Sequence, residues 1–408
     1  MVTAIDRSTV TPQTLSHRAV FYLLGNEGIL FSEINGKVYR LNASAAYIWC
    51  CCEAGFAPIT IARMLTKRFD ISRQIARRDV IQAFVEWRDA GLLGGDALLE
   101  QPESHPAPID EPLDSPIRSP ARSSISSTPY EHFYQLLDVC LQIRYPCQAA
   151  MAWVHPIFSH LEIHSAAHLN SAHTIIDIIQ DGENFSVFRD GVPNNSVGQL
   201  SELAPLFQRE ALLAAYEHTE CLAAIHSAAV CNDKGQCILL SASSGGGKST
   251  FTAALLSSGF TYLTDELCLL ETDAHAIRPA YVSLALKRDS WSILAIKYPQ
   301  LRVLPTHLQE GVTEVKYLTP PESKPPKKSY RVSYLIFPKY RANAPPKLTK
   351  LAPAEALYCI AQAGYDLPGR LNKQSLEVLI GWIAQLESYE LQLSEIDEAV
   401  GKIKELLA

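Results

Sequence analysis

The sequence has no run of about 18 or more apolar residues, the minimum for a membrane-crossing helix, so none is expected. It has no excess of positive charge: 36 Lys and Arg stand against 43 Asp and Glu, a formal net charge of -7. A general nucleic-acid binder carries a basic surface, so that class is excluded. Ten cysteines are present, but they form no CxxC pair and no regular framework. Cys50, Cys51 and Cys52 are adjacent, which suits neither a disulfide nor a tetrahedral zinc site. The thiols are read as reduced and mostly buried. Residues 1–16 are polar and lack the apolar core of a secretion signal. Together these absences give a cytoplasmic expectation.

What is present points to more than one domain. A chain of 408 residues, at roughly 100–200 residues per domain, suggests two or three. A hydrophobic fraction of 47% is enough for sizeable cores. Residues 101–129 read QPESHPAPIDEPLDSPIRSPARSSISSTP, dense in Pro and Ser with almost no large apolar side chains. Such a stretch buries too little surface to offset its ordering entropy and reads as a mobile linker.

Before the linker, apolar runs at 21–24, 29–34 and 38–41 read as short strands separated by Gly25-Asn26 and Asn35-Gly36 turns. Helical patterns follow at 43–52, 59–69 and 73–90, the last stopped by Gly91. After the linker, helical segments are interspersed with strands up to about residue 220. The runs 174–180 and 185–189 bracket Asp181-Gly182 as a hairpin. Strands are expected at 236–241, 260–264, 267–271 and 330–337, and helices at 248–258, 377–385 and 395–407.

Residues 242–249 read Ala-Ser-Ser-Gly-Gly-Gly-Lys-Ser, between an expected strand and an expected helix. This is the layout of a phosphate-binding P-loop, with Ala242 where the first glycine usually stands. Ser243, Ser244, Gly245, Gly246, Gly247 and Thr250 supply backbone and first-turn N–H groups that converge on a phosphate, aided by the helix dipole. Lys248 reaches the terminal phosphates, and the Ser249 hydroxyl ligates Mg²⁺. Alanine at the first position demands a negative φ there. Asp265 and Glu266 end the next hydrophobic strand. One acid can serve the metal while the other takes the proton from an attacking hydroxyl. His226, just before the strand that leads to the loop, can hydrogen-bond an active-site carboxylate and tune it.

The segment 226–270 resembles the catalytic domain of HPr kinase/phosphorylase, matching in His226, the 242–249 loop and Asp265-Glu266 by order and approximate spacing. The resemblance implies ATP and Mg²⁺ as cofactors. It implies Asp265 as the catalytic base/acid with His226 as its partner, and Ser249 with Asp265 or Glu266 on the metal. Lys287, after a strand, is favoured by the family pattern as a further phosphate-side cation. The stretches 282–287 and 315–321 are similar to the HPr-kinase-related kinases of peptide and secondary-metabolite gene clusters. The additional glycine-containing segment of true HPr kinases is absent between Glu271 and Lys287, which argues against HPr as the substrate. HPr kinases are oligomeric, so the resemblance also implies a homo-oligomer, though no interface is legible.

Residues 20–93 resemble PqqD-like domains, also called RiPP recognition elements. The matching features are Lys37-Val38-Tyr39-Arg40-Leu41-Asn42 leading into Ala45-Ala46-Tyr47-Ile48-Trp49, and Gly91-Leu92-Leu93. The resemblance implies capture of a precursor-peptide leader as an added β-strand, with Arg77, Arg78 and Arg88 facing acidic leader residues.

The expectation is therefore an α/β chain: a winged-helix-like α+β PqqD-type domain at 18–95, a linker at 96–129, an N-terminal lobe at 130–225 and an HPr-kinase-like P-loop domain at 226–408. The expected activity is phosphoryl transfer to a Ser/Thr hydroxyl of a captured peptide. A kinase for small hydroxyl metabolites or free amino acids, and a nucleotide-gated peptide chaperone without transfer, are the alternatives.

Two further features are read as bland. His155, His160, His164, His168 and His173 would suit a metal only on a continuous helix, and the segment leaves its helix for a polar loop. Lys324, Lys327 and Lys328 with Arg331 read as a solvated basic loop rather than a lid.

Overall fold

A computed structural model of the protein describes residues 14–15, 19–33, 36–94, 130–164, 172–243, 245–274, 276–320, 328–363 and 373–408. The expected linker at 96–129, Asn35, Ser244, His168 and most of the basic loop near residue 324 lie outside the described residues. Two units are distinguished. The first takes in Met1–Pro116, Pro353–Ala361 and Leu371–Glu377, and the second Ile117–Ala352, Gln362–Arg370 and Val378–Ala408.

The first unit runs β1 (Thr14–Leu15), β2 (Ala19–Leu24), β3 (Glu27–Ser32), β4 (Val38–Leu41), α1 (Ala43–Glu53), α2 (Pro58–Phe69), α3 (Arg73–Asp89) and β5 (Leu93–Gly94). Strands β2, β3 and β4 form an antiparallel sheet in that order, and β1 pairs with β5. Strand β2 turns into β3 at Gly25, whose φ of 66° is left-handed and free of Cβ strain in glycine. Each helix start has a local reason. The Asn42 side chain accepts from the Ala45 amide at 2.9 Å, Pro58 opens α2, and Ser72 accepts from the Ile75 amide at 3.3 Å. The core gathers on Trp49, fully buried, whose ring lies edge-on to Trp87 at 4.9 Å and stacks on Phe21 at 6.2 Å.

The second unit opens with β6 (Glu131–Leu136), β7 (Val139–Arg144), α4 (Gln148–Phe158), β8 (Ala172–Asp181), β9 (Asn184–Arg189), β10 (Val192–Val197) and α5 (Leu200–Glu217). The strands form a five-stranded sheet in the order β10-β9-β8-β7-β6. All pairs are antiparallel except β7–β8, which are parallel and need the crossover that α4 supplies. Leu203, Phe207, Ala211 and Ala214 of α5 share one core with Val154 and Phe158 of α4 and the inner face of this sheet.

It continues through β11 (Ala223–His226), β12 (Ala228–Cys231), β13 (Cys237–Leu240), α6 (Lys248–Ser257), β14 (Thr261–Thr264), β15 (Leu267–Leu270), β16 (Ile277–Pro279), β17 (Leu284–Lys287), α7 (Arg288–Leu294), β18 (His307–Gln309) and β19 (Thr313–Leu318). The last elements of the chain are β20 (Val332–Tyr340), β21 (Lys347–Lys350), α8 (Pro353–Ala363), α9 (Lys373–Gln385), β22 (Glu387–Leu393) and α10 (Ile396–Leu406), with α8 up to Ala361 and α9 up to Glu377 counted in the first unit. A six-stranded mixed sheet has the order β14-β12-β13-β20-β22-β21, with β13, β20 and β22 mutually parallel. All four residues of β13 are buried, as a central strand with both faces covered requires. Helices α6 and α10 pack on the sheet through Phe251, Leu255, Val400 and Ile403. Two three-stranded antiparallel sheets, β11-β15-β16 and β17-β19-β18, complete the unit. Among the described residues no helix is long and apolar enough to cross a membrane, and all ten cysteines are free thiols.

Candidate functional site

Strand β13 ends at Leu240, and residues 241–243 and 245–247 lie between it and α6. Gly245 at φ 83° and Gly247 at φ 90° hold left-handed backbone that a side chain would strain. Gly246 is required for space instead: a Cβ there would stand 2.9 Å from the Ala242 Cβ and 3.2 Å from the Pro338 carbonyl. Ala242 is absent from the positive-φ residues, as an alanine in that place demands. Gly247 is the N-cap of α6. The first amides of a helix have no intrahelical partner, so this turn presents N–H groups toward the loop.

Side chains converge beside that helix end. Lys248, 9% exposed, directs its Nζ to the Asp265 carboxylate at 3.0 Å and also donates to the Asp265 backbone carbonyl. The Ser249 hydroxyl donates to the other Asp265 oxygen at 2.6 Å. Thr250 sits half-buried in the same first turn. Asp265 is 2% exposed. Burial pushes its carboxyl up from the ordinary range, with Lys248 and the Ser249 hydrogen bond pulling the other way.

Glu266 belongs to a second cluster. Its Oε1 lies 3.6 Å from His226 Nε2, and His226 Nδ1 donates to the Ala363 carbonyl at 2.9 Å. That backbone bond keeps a proton on Nδ1, so Nε2 donates to the acid when the ring is doubly protonated. Burial would lower the His226 pKa, but the hydrogen bond and charge of Glu266 outweigh it and raise it. Burial would likewise raise Glu266, but the His226 hydrogen bond, Lys248 and Lys287 bring it below the ordinary value. Lys287, exposed at the end of β17, thus reaches the site through its field.

The partnership implied for His226 with Asp265 is not the one formed. Consecutive residues at a strand end point to opposite sides. Asp265 follows β14 and turns toward the helix end, where Lys248 and Ser249 occupy both its oxygens. Glu266 faces β11, where His226 is the last residue. Two residues outside the motifs join the surroundings. Buried Tyr262 donates to the Val282 carbonyl at 2.7 Å, and Tyr317 is buried close enough to feel the Glu266 charge. Burial, with the neighbouring carboxylates adding to it, raises both phenols, so they stay neutral. Nothing in the sequence singles out Tyr262 or the Ala363 carbonyl, which act through position alone.

In the first unit, β4 is an edge strand among the described residues. Helix α3 exposes Arg77, Arg78 and Arg88, with Ile81 and Val85 between them. Arg78 already meets Asp79 at 3.0 Å and Arg88 meets Asp89 at 3.5 Å. Such exposed local pairs contribute little and are exchanged readily. Arg40 of β4 is tied to Glu27 at 2.7 Å and to Glu355 at 3.4 Å.

Among its described residues the histidine-rich stretch does not assemble. His160 Nε2 donates to the Tyr281 carbonyl at 2.8 Å, while His164 and His173 are exposed. Of these described histidines only His155 enters a cluster, with His132 and Glu162, taken up below.

Residues 27–93 match the family model described as coenzyme PQQ synthesis protein D, PqqD. That region is PqqD-like within a mixed α/β chain. A comparison with curated proteins finds no match. Among solved structures, TbiB1 in complex with the TbiA(beta) leader peptide is 24% identical at a TM-score of 0.20, covering 21% of this chain and 98% of that one. Lasso peptide synthetase B1 complexed with its leader peptide is 21% identical at 0.20, covering 21% and 100%. The Hpr(Ser) kinase/phosphatase from Coxiella burnetii is 10% identical at 0.22, covering 45% and 91%.

Proposed function

We propose that the protein is an ATP-dependent kinase that phosphorylates a hydroxyl of a peptide held by its PqqD-like unit. One observation carries the transfer half: Lys248, Ser249 and Asp265 meet at the start of α6 while a separate acid, Glu266, stands beside His226. A nucleotide-gated binder needs the first group and has no use for the second. The PqqD-like match over 27–93 supports the peptide half. Strand β4 lies at the edge of its sheet among the described residues, the position at which an added strand would dock.

The Ser249 hydroxyl and the Asp265 carboxylate, 2.6 Å apart, are the oxygen donors that fit Mg²⁺, an ion that prefers such ligands. When bound, Mg²⁺ neutralises charge on the phosphate oxygens. The glycine-rich turn and the α6 amides cradle the phosphates, and Lys248 exchanges Asp265 for a phosphate oxygen. Glu266 accepts the proton of the attacking hydroxyl as its oxygen bonds to the terminal phosphorus and ADP leaves. His226 fixes the orientation of that carboxylate and holds it ionised. Glu266 thus takes the base role that the family resemblance implies for Asp265.

The test is intact-mass spectrometry of a short Ser/Thr-containing peptide that binds the first unit, after incubation with the full chain, Mg²⁺ and ATP. A gain of one phosphate that disappears with Lys248→Ala is expected. A peptide that binds the first unit yet gains no phosphate would overturn the kinase reading and favour nucleotide-gated binding.

A further inference from the structure

We propose that the five-stranded-sheet lobe holds a binding site for a divalent transition-metal ion of the zinc type, with His132, His155 and Glu162 as its ligands. The three come from separate segments: β6, α4 and the chain just after the short helical turn that follows α4. One ligand atom from each lies within 4.8 Å of the others. Zinc–nitrogen bonds of about 2.0–2.1 Å set donor atoms somewhat closer than this, so the three donors draw together when the ion binds.

The surrounding hydrogen bonds prepare the ligands. The His132 and His155 rings stack with centroids 4.4 Å apart. Neutral imidazole is the form that binds a metal. His155 Nδ1 lies 2.7 Å from the Tyr134 hydroxyl, which lies 3.0 Å from the Tyr145 hydroxyl. Both tyrosines are fully buried. When Nδ1 donates to Tyr134, the proton leaves Nε2 free as a ligand atom. This is the outer hydrogen bond that metal-bound histidines generally make. His132 Nδ1 meets Glu162 Oε1 at 2.6 Å, and its Nε2 lies 3.3 Å from Met151 Sδ. Met151 is one turn before His155 on α4, so a polarisable sulfur borders the site.

Donor chemistry selects the ion. Two imidazoles and one carboxylate match the three-ligand sets of open zinc sites. Mg²⁺ and Ca²⁺ demand mostly oxygen ligands, of which this cluster supplies one residue's worth. The site is therefore chemically distinct from the Ser249–Asp265 pair.

The experiment uses the full chain, stripped with chelator and titrated with Zn(II) alone by calorimetry, then with Co(II) as a spectroscopic probe. The expected result is one tight equivalent of Zn(II) and a Co(II) visible band of low-coordinate nitrogen/oxygen type. His155→Gln should weaken the tight event at least about 100-fold, and Tyr134→Phe about 10-fold, through loss of the bond that orients His155. Far-ultraviolet dichroism and the metal-free melting midpoint confirm folding of each variant. Tight Zn(II) binding that survives His132→Gln/His155→Gln but vanishes on thiol alkylation would assign the metal to cysteines and overturn the proposal. Absence of any saturable tight event in the unmodified chain would overturn it equally.

Discussion

Replacing Lys248 by methionine should expose how strongly the site depends on a single buried ion pair. Asp265 is 2% exposed and Lys248 9%. Lys248 satisfies one carboxylate oxygen at 3.0 Å, and Ser249 the other at 2.6 Å. Lys248→Met leaves the carboxylate with one neutral hydroxyl. Stranding one member of a buried pair costs about 3–5 kcal/mol. The chain can instead fold with Asp265 protonated. At pH 7 that costs about 4 kcal/mol, roughly three pH units above an ordinary aspartate at about 1.4 kcal/mol each. Both routes agree, so the variant's second unit should lose about 3–4 kcal/mol at pH 7. The pH dependence identifies the route. An acid whose folded pKa is raised favours folding more as pH falls toward its unfolded value, so the deficit should shrink to about 1.5 kcal/mol at pH 5. Replacing both partners, Lys248→Met/Asp265→Leu, should recover most of the loss, because an apolar pair needs no compensation. Urea unfolding read by hydrogen exchange on β12, β13 and β14 separates this unit from the first. A deficit below about 1 kcal/mol at pH 7, well under the range for a stranded buried charge, would mean that Asp265 does not depend on Lys248. A double variant no better than the single one would mean the same.

Four other outcomes follow from the structure. His226 has a raised pKa and Glu266 a lowered one. Their joint stabilisation should be full between the ordinary carboxylate and imidazole values, about pH 4.5–6.5. It should fade on either side, and His226→Asn should remove that window from stability-against-pH curves. It should also move the acid limb of kcat/KM to higher pH, since Glu266 then ionises against burial without its partner; an unmoved limb would exclude Glu266 as the base. Gly246→Ala should abolish nucleotide binding measured by calorimetry, because its Cβ would meet Ala242 at 2.9 Å. Gly381→Ala, with nothing within 4 Å on α9, should instead raise the melting midpoint through about 0.5–1 kcal/mol of helix propensity. Arg78→Glu/Arg88→Glu should leave the first unit's stability within about 0.5 kcal/mol, as surface changes do, while weakening an acidic peptide in fluorescence anisotropy most at low salt.

Local chemistry was legible and partner choice was not. The turn at 242–249 announces itself because its constraints are short-range: left-handed glycines, a close approach at Gly246 and a helix start at Lys248. Hairpins with a marked turn, such as β8–β9 around Asp181-Gly182, were legible for the same reason. The parallel set β13–β20–β22 was not, because its all-buried apolar strand β13 reads alike whichever strand it joins.

The division of work between Asp265 and Glu266 shows where sequence spacing stops. Adjacency guarantees that the two acids face different ways, but which one faces α6 depends on how β14 lies on β12. That pairing carries an irregularity between Ala229 and Val230, a detail with no sequence signature. The acceptor that orients His226 is a backbone carbonyl at Ala363, and every residue has a carbonyl. The histidine cluster makes the same point from the other direction. Spacing along 155–173 tests for ligands on one helix, whereas His155 meets His132 from a strand and Glu162 from a turn. Ligand sets assembled by tertiary packing have no period, so such a site becomes visible only when the sheet that aligns its segments is in place.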